Sequence, residues 1–269
     1  MALLIPDINQ VKAIFLDIDG TLVSFKTHTI PQTTLDAISA VRRAGVKVII
    51  ATGRPLPFVD NLGSLEYDGI MTVNGARCQL TDGTVIRHDP INHEDLEHLV
   101  EYCKDRPISM AFTSADEAFM NYATDEFREV FTLLDIKIPR QLPLEHCLDM
   151  DIMQLVMFFH SDEEEELMKR VLPHCSAHRW HPAFADVISQ GNSKQDGADT
   201  FCKYLGIPVS QTMAFGDGGN DVGMLCHVGF GYAMGNSKPS VLAAAPNVTD
   251  TVDNNGVAKV LIEMMKENL

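Results

Sequence analysis

The sequence has no run approaching the roughly 20 apolar residues that a helix needs to cross a bilayer, which argues against a helical membrane span. Met1–Ile5 is too short for a secretory leader and lacks a basic start, so a cytoplasmic location is expected. No Cys-x-x-Cys pair occurs. The six cysteines (Cys78, Cys103, Cys147, Cys175, Cys202 and Cys226) are scattered, which favours reduced structural thiols over a disulfide framework. Without a leader, the sequon Asn247-Val248-Thr249 is expected to be accidental. Basic residues are scarce, with 21 Lys and Arg against 37 Asp and Glu and a net charge of −16. Such a surface repels a nucleic-acid backbone, which argues against nucleic acid as a partner. A small anionic substrate stays possible if basic groups and a metal gather in one pocket. Internal repeats and low-complexity linkers are also missing.

What remains is an ordinary globular composition, 45% apolar and 22% charged over 269 residues, enough for one large domain or two smaller ones. Residues 11–16 read as a strand with little alternation, as a strand buried on both faces requires. Residues 31–44 carry Leu35, Ile38 and Val41 at helical spacing, with Pro31 suited to the first turn and Gly45 to the stop. Residues 46–51 form a second buried-type strand. A helix is expected after Arg54-Pro55, and residues 69–73 form a third strand ending at Asn74-Gly75. This is the grammar of a doubly wound parallel α/β sheet.

The grammar then changes. Asn92 can cap a helix bearing Leu96, Leu99, Val100 and Cys103, and Thr124 one bearing Phe127, Val130, Phe131 and Leu134. Ser161 with Glu164 reads as a capping box. Strand-like runs at 108–113, 118–122, 152–159, 177–180 and 185–189 lie among these helices and predict an inserted α+β domain. From Lys194 the first pattern returns: a helix to about Tyr204, a strand at 212–215, a helix to Cys226, a strand near 229–234, and helices from Pro239 and over 257–267. The predicted division is a core of residues 1–82 and 188–269, with a cap over 83–187.

The chemistry concentrates at strand ends. Asp17-Ile18-Asp19-Gly20-Thr21-Leu22 closes the first strand with two carboxylates, a placement that costs free energy unless a cation or hydrogen bonds compensate. Open α/β sheets bind ligands at that edge. An aspartate can attack phosphorus to give an acyl phosphate that water then hydrolyses, and a dianionic phosphate needs a cation between it and the carboxylate. Magnesium suits such a site because it takes one or two carboxylates, waters and phosphate oxygens. Asp19, two residues on, is placed to protonate the leaving alcohol and later activate water. Alone, the two acids could equally form a solvated turn. Thr52-Gly53 offers a hydroxyl and amides after the second strand. Lys194 opens a helix after Gly191-Asn192-Ser193, and Asp217 and Asp221 follow another buried strand across glycines. Four matched sites at one sheet edge favour chemistry over chance.

In order and spacing, Asp17-x-Asp19-Gly20-Thr21-Leu22, Ala51-Thr52-Gly53-Arg54, Asn192-Ser193-Lys194 and Gly216-Asp217-Gly218-Gly219-Asn220-Asp221 resemble the four motifs of the haloacid dehalogenase superfamily. The insertion, with Asn74-Gly75-Ala76 before it, resembles the Cof-type branch with its α/β cap. The resemblance implies a Rossmann-like core with an inserted α+β cap and a magnesium-dependent phosphatase acting through an aspartyl phosphate on small sugar phosphates or related metabolites. It makes Asp17 the nucleophile, Asp19 the general acid/base and Lys194 a catalytic cation. Ile18, Thr52, Gly53, Arg54, Asn74, Lys194 and Asn220 would line the phosphate. Asp17, Asp19 (through its backbone carbonyl), Asp217 and Asp221 would surround the metal. No partner beyond a small phosphorylated metabolite is implied, and a monomer is compatible with the sequence. Two alternatives remain: a phosphosugar mutase using the same nucleophile, and a metabolite-binding regulator without catalysis.

Other signals are weaker. His93 and His98 are five apart, so they miss the spacing of a zinc-protease helix. His174, Cys175, His178 and His181 match no zinc spacing, and Pro173 and Pro182 break up the segment. Gly229-x-Gly231 with Gly235 misses the dinucleotide fingerprint by one residue.

Overall fold

A computed structural model describes residues 4–133 and 136–266 of the chain. Leu134, Glu267 and the first three residues of the Met1–Ile5 stretch therefore lie outside the described residues. The chain begins with β1 (Ala13–Leu16), α1 (Gln32–Arg43), β2 (Lys47–Ala51), β3 (Gly69–Thr72), β4 (Arg77–Leu80) and β5 (Val85–His88). It continues with α2 (His93–Cys103), β6 (Ser109–Thr113), β7 (Ala118–Met120), α3 (Asp125–Leu133), β8 (Arg140–Gln141), β9 (Gln154–Phe158), α4 (Glu164–Arg170), β10 (Cys175–His181) and β11 (Phe184–Ser189). It ends with α5 (Lys194–Leu205), β12 (Thr212–Gly216), α6 (Val222–His227), β13 (Phe230–Ala233), α7 (Pro239–Ala244), β14 (Asn247–Val248) and α8 (Gly256–Lys266).

These elements form two compact units. One runs to Arg54 and resumes over Val59–His88 and from Ser193 onward; the other holds Pro55–Phe58 and Asp89–Asn192. The first unit extends to His88, six residues beyond the predicted 82, because β4 and β5 pair as an antiparallel hairpin on β3. The second unit runs to Asn192 because β11 continues to Ser189.

The first unit is built on a sheet ordered β14-β13-β12-β1-β2-β3-β4-β5, parallel from β14 to β3. Every residue of β1 is buried, so the run without alternation has apolar cover on both faces. Ala13 and Phe15 pack with Ala198 and Phe201 of α5 and Met224 and Leu225 of α6. On the same unit α1 packs against α8. Full burial of Ile14, Phe15 and Leu16 contributes about 1.5–3 kcal/mol each.

The second unit carries a sheet ordered β10-β11-β9-β6-β7-β8, antiparallel except for β7 with β8. Alternation along β6 separates its two cores. Met110 and Phe112 join Leu96 and Leu99 of α2 and Leu167 of α4, while Ala111 joins Phe127 and Phe131 of α3.

Two expectations need correction. No α-helix follows Arg54: between β2 and β3 the chain makes only a 3-10 turn, Leu56–Phe58. Pro55 and Pro57 deny it the amide hydrogens a helix needs. The Ser161–Glu164 capping box does not form either. Glu163 is the residue preceding α4, and its carboxylate instead accepts the N–H of His160 at 3.0 Å. Asn92 and Thr124 do cap as expected, accepting from Glu94 N at 3.0 Å and Phe127 N at 3.2 Å. All six cysteines are free thiols. Among the described residues no helix is long and apolar enough to cross a membrane.

Candidate active site

The strand order places the site. From β1 the sheet grows one way through β2 and β3 and the other way through β12 and β13, so the order reverses between β1 and β12. Ligands of open α/β sheets bind at such a reversal, beyond the strand carboxyl ends. Asp17 leaves β1 there, its N–H still bonded to Phe215 O of β12 at 3.1 Å, and Asp217 leaves β12. The chain then turns tightly: Thr21, Leu22 and Val23 all donate to Ile18 O, at 3.3, 2.9 and 2.8 Å. Gly20 makes the turn with φ +80, and a Cβ there would lie 2.2 Å from Asp217 Oδ2. Only glycine lets that carboxylate rest on the turn.

Lys194 is fully buried at the first turn of α5. The helix start is fixed by Ser193, whose hydroxyl accepts from Asp196 N at 3.2 Å. Lys194 Nζ donates to Asp17 Oδ1 at 2.7 Å and to Asp221 Oδ1 at 2.6 Å. Burial alone would lower the lysine's pKa, but the two carboxylates outweigh it and hold the ammonium above its ordinary value. Burial pushes the Asp17 carboxyl up to about 8; Lys194 opposes the rise, and Asp221 and Asp217 add to it. Asp217 is pushed up to about 6, first by burial and then by Asp221. Asp17 Oδ2 has no hydrogen-bond partner among the described residues. Asp221 Oδ2 accepts from Asp217 N at 3.1 Å and Gly218 N at 2.9 Å, while its Oδ1 carries the one bond from Lys194.

Ligand atoms of Asp17, Asp217 and Asp221 lie within 4.8 Å of one another. Three acidic side chains face a single ammonium here, and burial, with the neighbouring carboxylates adding to it, pushes Asp17 and Asp217 up, so ionising all three calls for further positive charge. An all-oxygen donor set with this charge fits a hard divalent cation. It is the one group of three or more metal-capable side chains found among the described residues. Cys175–His181 forms β10 instead, with His174 in the turn before it, and buried Asp95 of α2 accepts from His174 Nδ1 at 2.8 Å and Cys175 Sγ at 3.4 Å.

The Asp19 side chain lies outside the trio of Asp17, Asp217 and Asp221. Both its oxygens accept from Arg54, at 2.7 Å from Nε and 2.7 Å from the terminal nitrogen, because the planar guanidinium matches a carboxylate two-for-two. Thr52 is buried, and its hydroxyl oxygen accepts from Arg54 N at 3.0 Å. Asn220 donates to Asn74 Oδ1 at 2.9 Å, and a Cβ on Gly53 would come within 3.2 Å of that same oxygen. Gly53, Asn74 and Asn220 thus share one rim of the site. The rim has a strained support: Val73, Asn74 and Gly75 all have positive φ (49, 52 and 91), and left-handed geometry is costly for a β-branched valine. Gly75 lies against the start of α5, where a Cβ would meet Ser193 O at 2.4 Å.

Sequence reasoning missed Asn236. Its Nδ2 donates to Gly20 O at 2.8 Å and Asp217 Oδ2 at 3.3 Å. An asparagine in a turn sixteen residues beyond Asn220 has no local signal, since its partners are far away in the chain.

The sequence matches the haloacid dehalogenase-like hydrolase family over residues 14–261. BT1666 of Bacteroides thetaiotaomicron, described as a phosphatase of that superfamily, superposes with a TM-score of 0.87 at 37% identity, covering 98% of this chain and 99% of its own. BT4131, described as a subclass IIB sugar phosphatase, gives a TM-score of 0.81 at 36% identity over 94% and 98%. YkrA of Bacillus subtilis, named as a phosphatase, is 30% identical over 94% of this chain and 97% of its own. With the four motifs brought to one sheet edge and a family match spanning nearly the whole chain, this protein belongs to the haloacid dehalogenase-like hydrolases, as a phosphatase of their Cof-type branch.

Proposed function

We propose that the protein hydrolyses small phosphomonoesters, sugar phosphates among them, with Asp17 as nucleophile and a magnesium ion held by Asp17, Asp217 and Asp221. The observation that carries this reading is the meeting of those three carboxylates with the buried ammonium of Lys194 at the sheet's reversal point. The sugar-phosphate class is supported by the likeness to BT4131. Magnesium bound there supplies the positive charge that lets a phosphate dianion approach a carboxylate.

The residues divide the work as follows. Lys194 occupies Asp17 Oδ1, which leaves Oδ2 to attack phosphorus. As the Oδ2–phosphorus bond forms, the ester oxygen departs with its electron pair and takes a proton from Asp19. Water then attacks the acyl phosphate, Asp19 takes its proton, and the bond to Asp17 breaks to release phosphate. Because Asp19 sits in the Arg54 fork, it must leave that fork to reach the ester oxygen. Ile18 N–H, Thr52, Gly53, Asn74 and Asn220 line the phosphate, and Arg54, once released, can do so as well.

The test is release of inorganic phosphate from a panel of sugar phosphates in magnesium, by wild type and Asp17→Asn. Wild type should release phosphate, and Asp17→Asn should lose about 10³-fold or more in kcat with its circular dichroism unchanged. Turnover retained by Asp17→Asn would overturn the nucleophile assignment. Isomerised sugar phosphate in place of free phosphate, or tight binding without release, would overturn the hydrolase reading.

A further inference from the structure

We propose that Asn236 is a positioning residue that sets the orientation of the Asp217 carboxylate for cation binding. This rests on the reading of Asp217 as a metal ligand. Asn236 lies in the turn after β13, exposed to solvent, yet its amide joins three segments remote in sequence. Nδ2 donates one hydrogen to Gly20 O at 2.8 Å and the other to Asp217 Oδ2 at 3.3 Å. Oδ1 accepts from Val252 N at 2.9 Å. The surroundings fix the direction of the amide: turned over, it would set oxygen against two acceptors and NH₂ against an N–H.

Asp217 Oδ2 is thereby confined from two sides. Gly20 Cα lies beneath it, leaving no room for even a methyl group, and the Asn236 amide holds it laterally. A carboxylate with one oxygen so held keeps a single plane. Outer partners of this kind typically govern metal affinity by 10–100-fold, because they remove the need to orient the ligand when the cation arrives. The alternative is that Asn236 merely closes its own turn. A nearby bond separates the two roles: Ser24 Oγ donates to Asp253 Oδ1 at 2.6 Å, cross-linking the segment after the nucleophile turn to the same 252–254 turn without touching Asp217.

The experiment measures magnesium affinity calorimetrically, together with urea midpoints, in full-length wild type, Asn236→Ala, Asn236→Ser and Ser24→Ala. Asn236→Ala should weaken the magnesium Kd about 10–100-fold. The magnesium concentration for half-maximal turnover should rise by the same factor, with kcat at saturating metal nearly unchanged. Ser24→Ala should lower the urea midpoint and leave the magnesium Kd where it was. Asn236→Ser, too short to span from Val252 to Asp217, carries the same expectation should the alanine variant be unstable. A wild-type Kd in both Asn236 variants, whatever their stability, would overturn the proposal. Failure of wild type to bind magnesium would overturn the metal reading of the site and this proposal with it.

Discussion

Lys194 shows how much of the site rests on single atoms. Its ammonium is the bond donor to both Asp17 and Asp221. Removing one partner of a buried charge network leaves the others uncompensated, at about 3–5 kcal/mol. Lys194→Met should lose that much stability in urea titrations without metal and should also lose turnover. A variant as stable as wild type would mean that the carboxylates do not need the ammonium. At this scale the motif residues were readable because each motif names the chemistry of its side chains. The partners of Asp19 were not. Asp-x-Asp spelled two acids, but nothing local said that Arg54, 35 residues on, would take both oxygens of the second.

Element α5 is where sequence and packing meet most closely. Gly197, one turn past Lys194, faces β3: a Cβ there would stand 2.7 Å from Met71 Sδ and 3.1 Å from Gly75 Cα. Alanine would gain about 1 kcal/mol in helix propensity but should cost about 1–3 kcal/mol through overpacking. Gly197→Ala should therefore destabilise on balance, and by shifting the first turn of α5 it should lower kcat more than it raises KM. In a cycle with Met71→Ala the double variant should lose less than the two single losses added together, since one relieves the other. Additive losses would mean that α5 and β3 do not compete for that space. The expected helix after Arg54 illustrates the opposite case. The strand–helix alternation on either side suggested it, and two prolines two residues apart were the stronger local signal. The β4–β5 hairpin went unread because, apart from buried Cys78, its residues in Arg77–Leu80 and Val85–His88 are half-buried or exposed and show little periodicity.

For the whole molecule, the surplus of acids over bases is spent unevenly. Glu164, Glu165 and Glu166 of α4 are each matched by a base, Arg179, Lys169 and Arg170, while Asp95 is wholly buried and answers to His174. The hydrogen bond and charge of Asp95 raise the His174 pKa above its ordinary 6.5. A base whose pKa is raised by folding contributes stability that is complete below the unfolded value and disappears as the pH passes the folded one. Wild type should therefore exceed His174→Asn in urea midpoint at pH values below 6.5, and the gap should close as the pH rises past the folded-state pKa. A gap independent of pH would mean that the contact works through shape and not through charge.

Within the second unit, Asn192 Nδ2 donates to Asp89 Oδ2 at 2.9 Å, so the first and last residues of a 104-residue excursion are clasped together. A stretch of polypeptide that departs and comes back through neighbouring points asks its host only for a short gap between two backbone positions. Lineages carrying this architecture can therefore lengthen, trim or exchange the excursion wholesale while the strands around Asp17 keep their pairing.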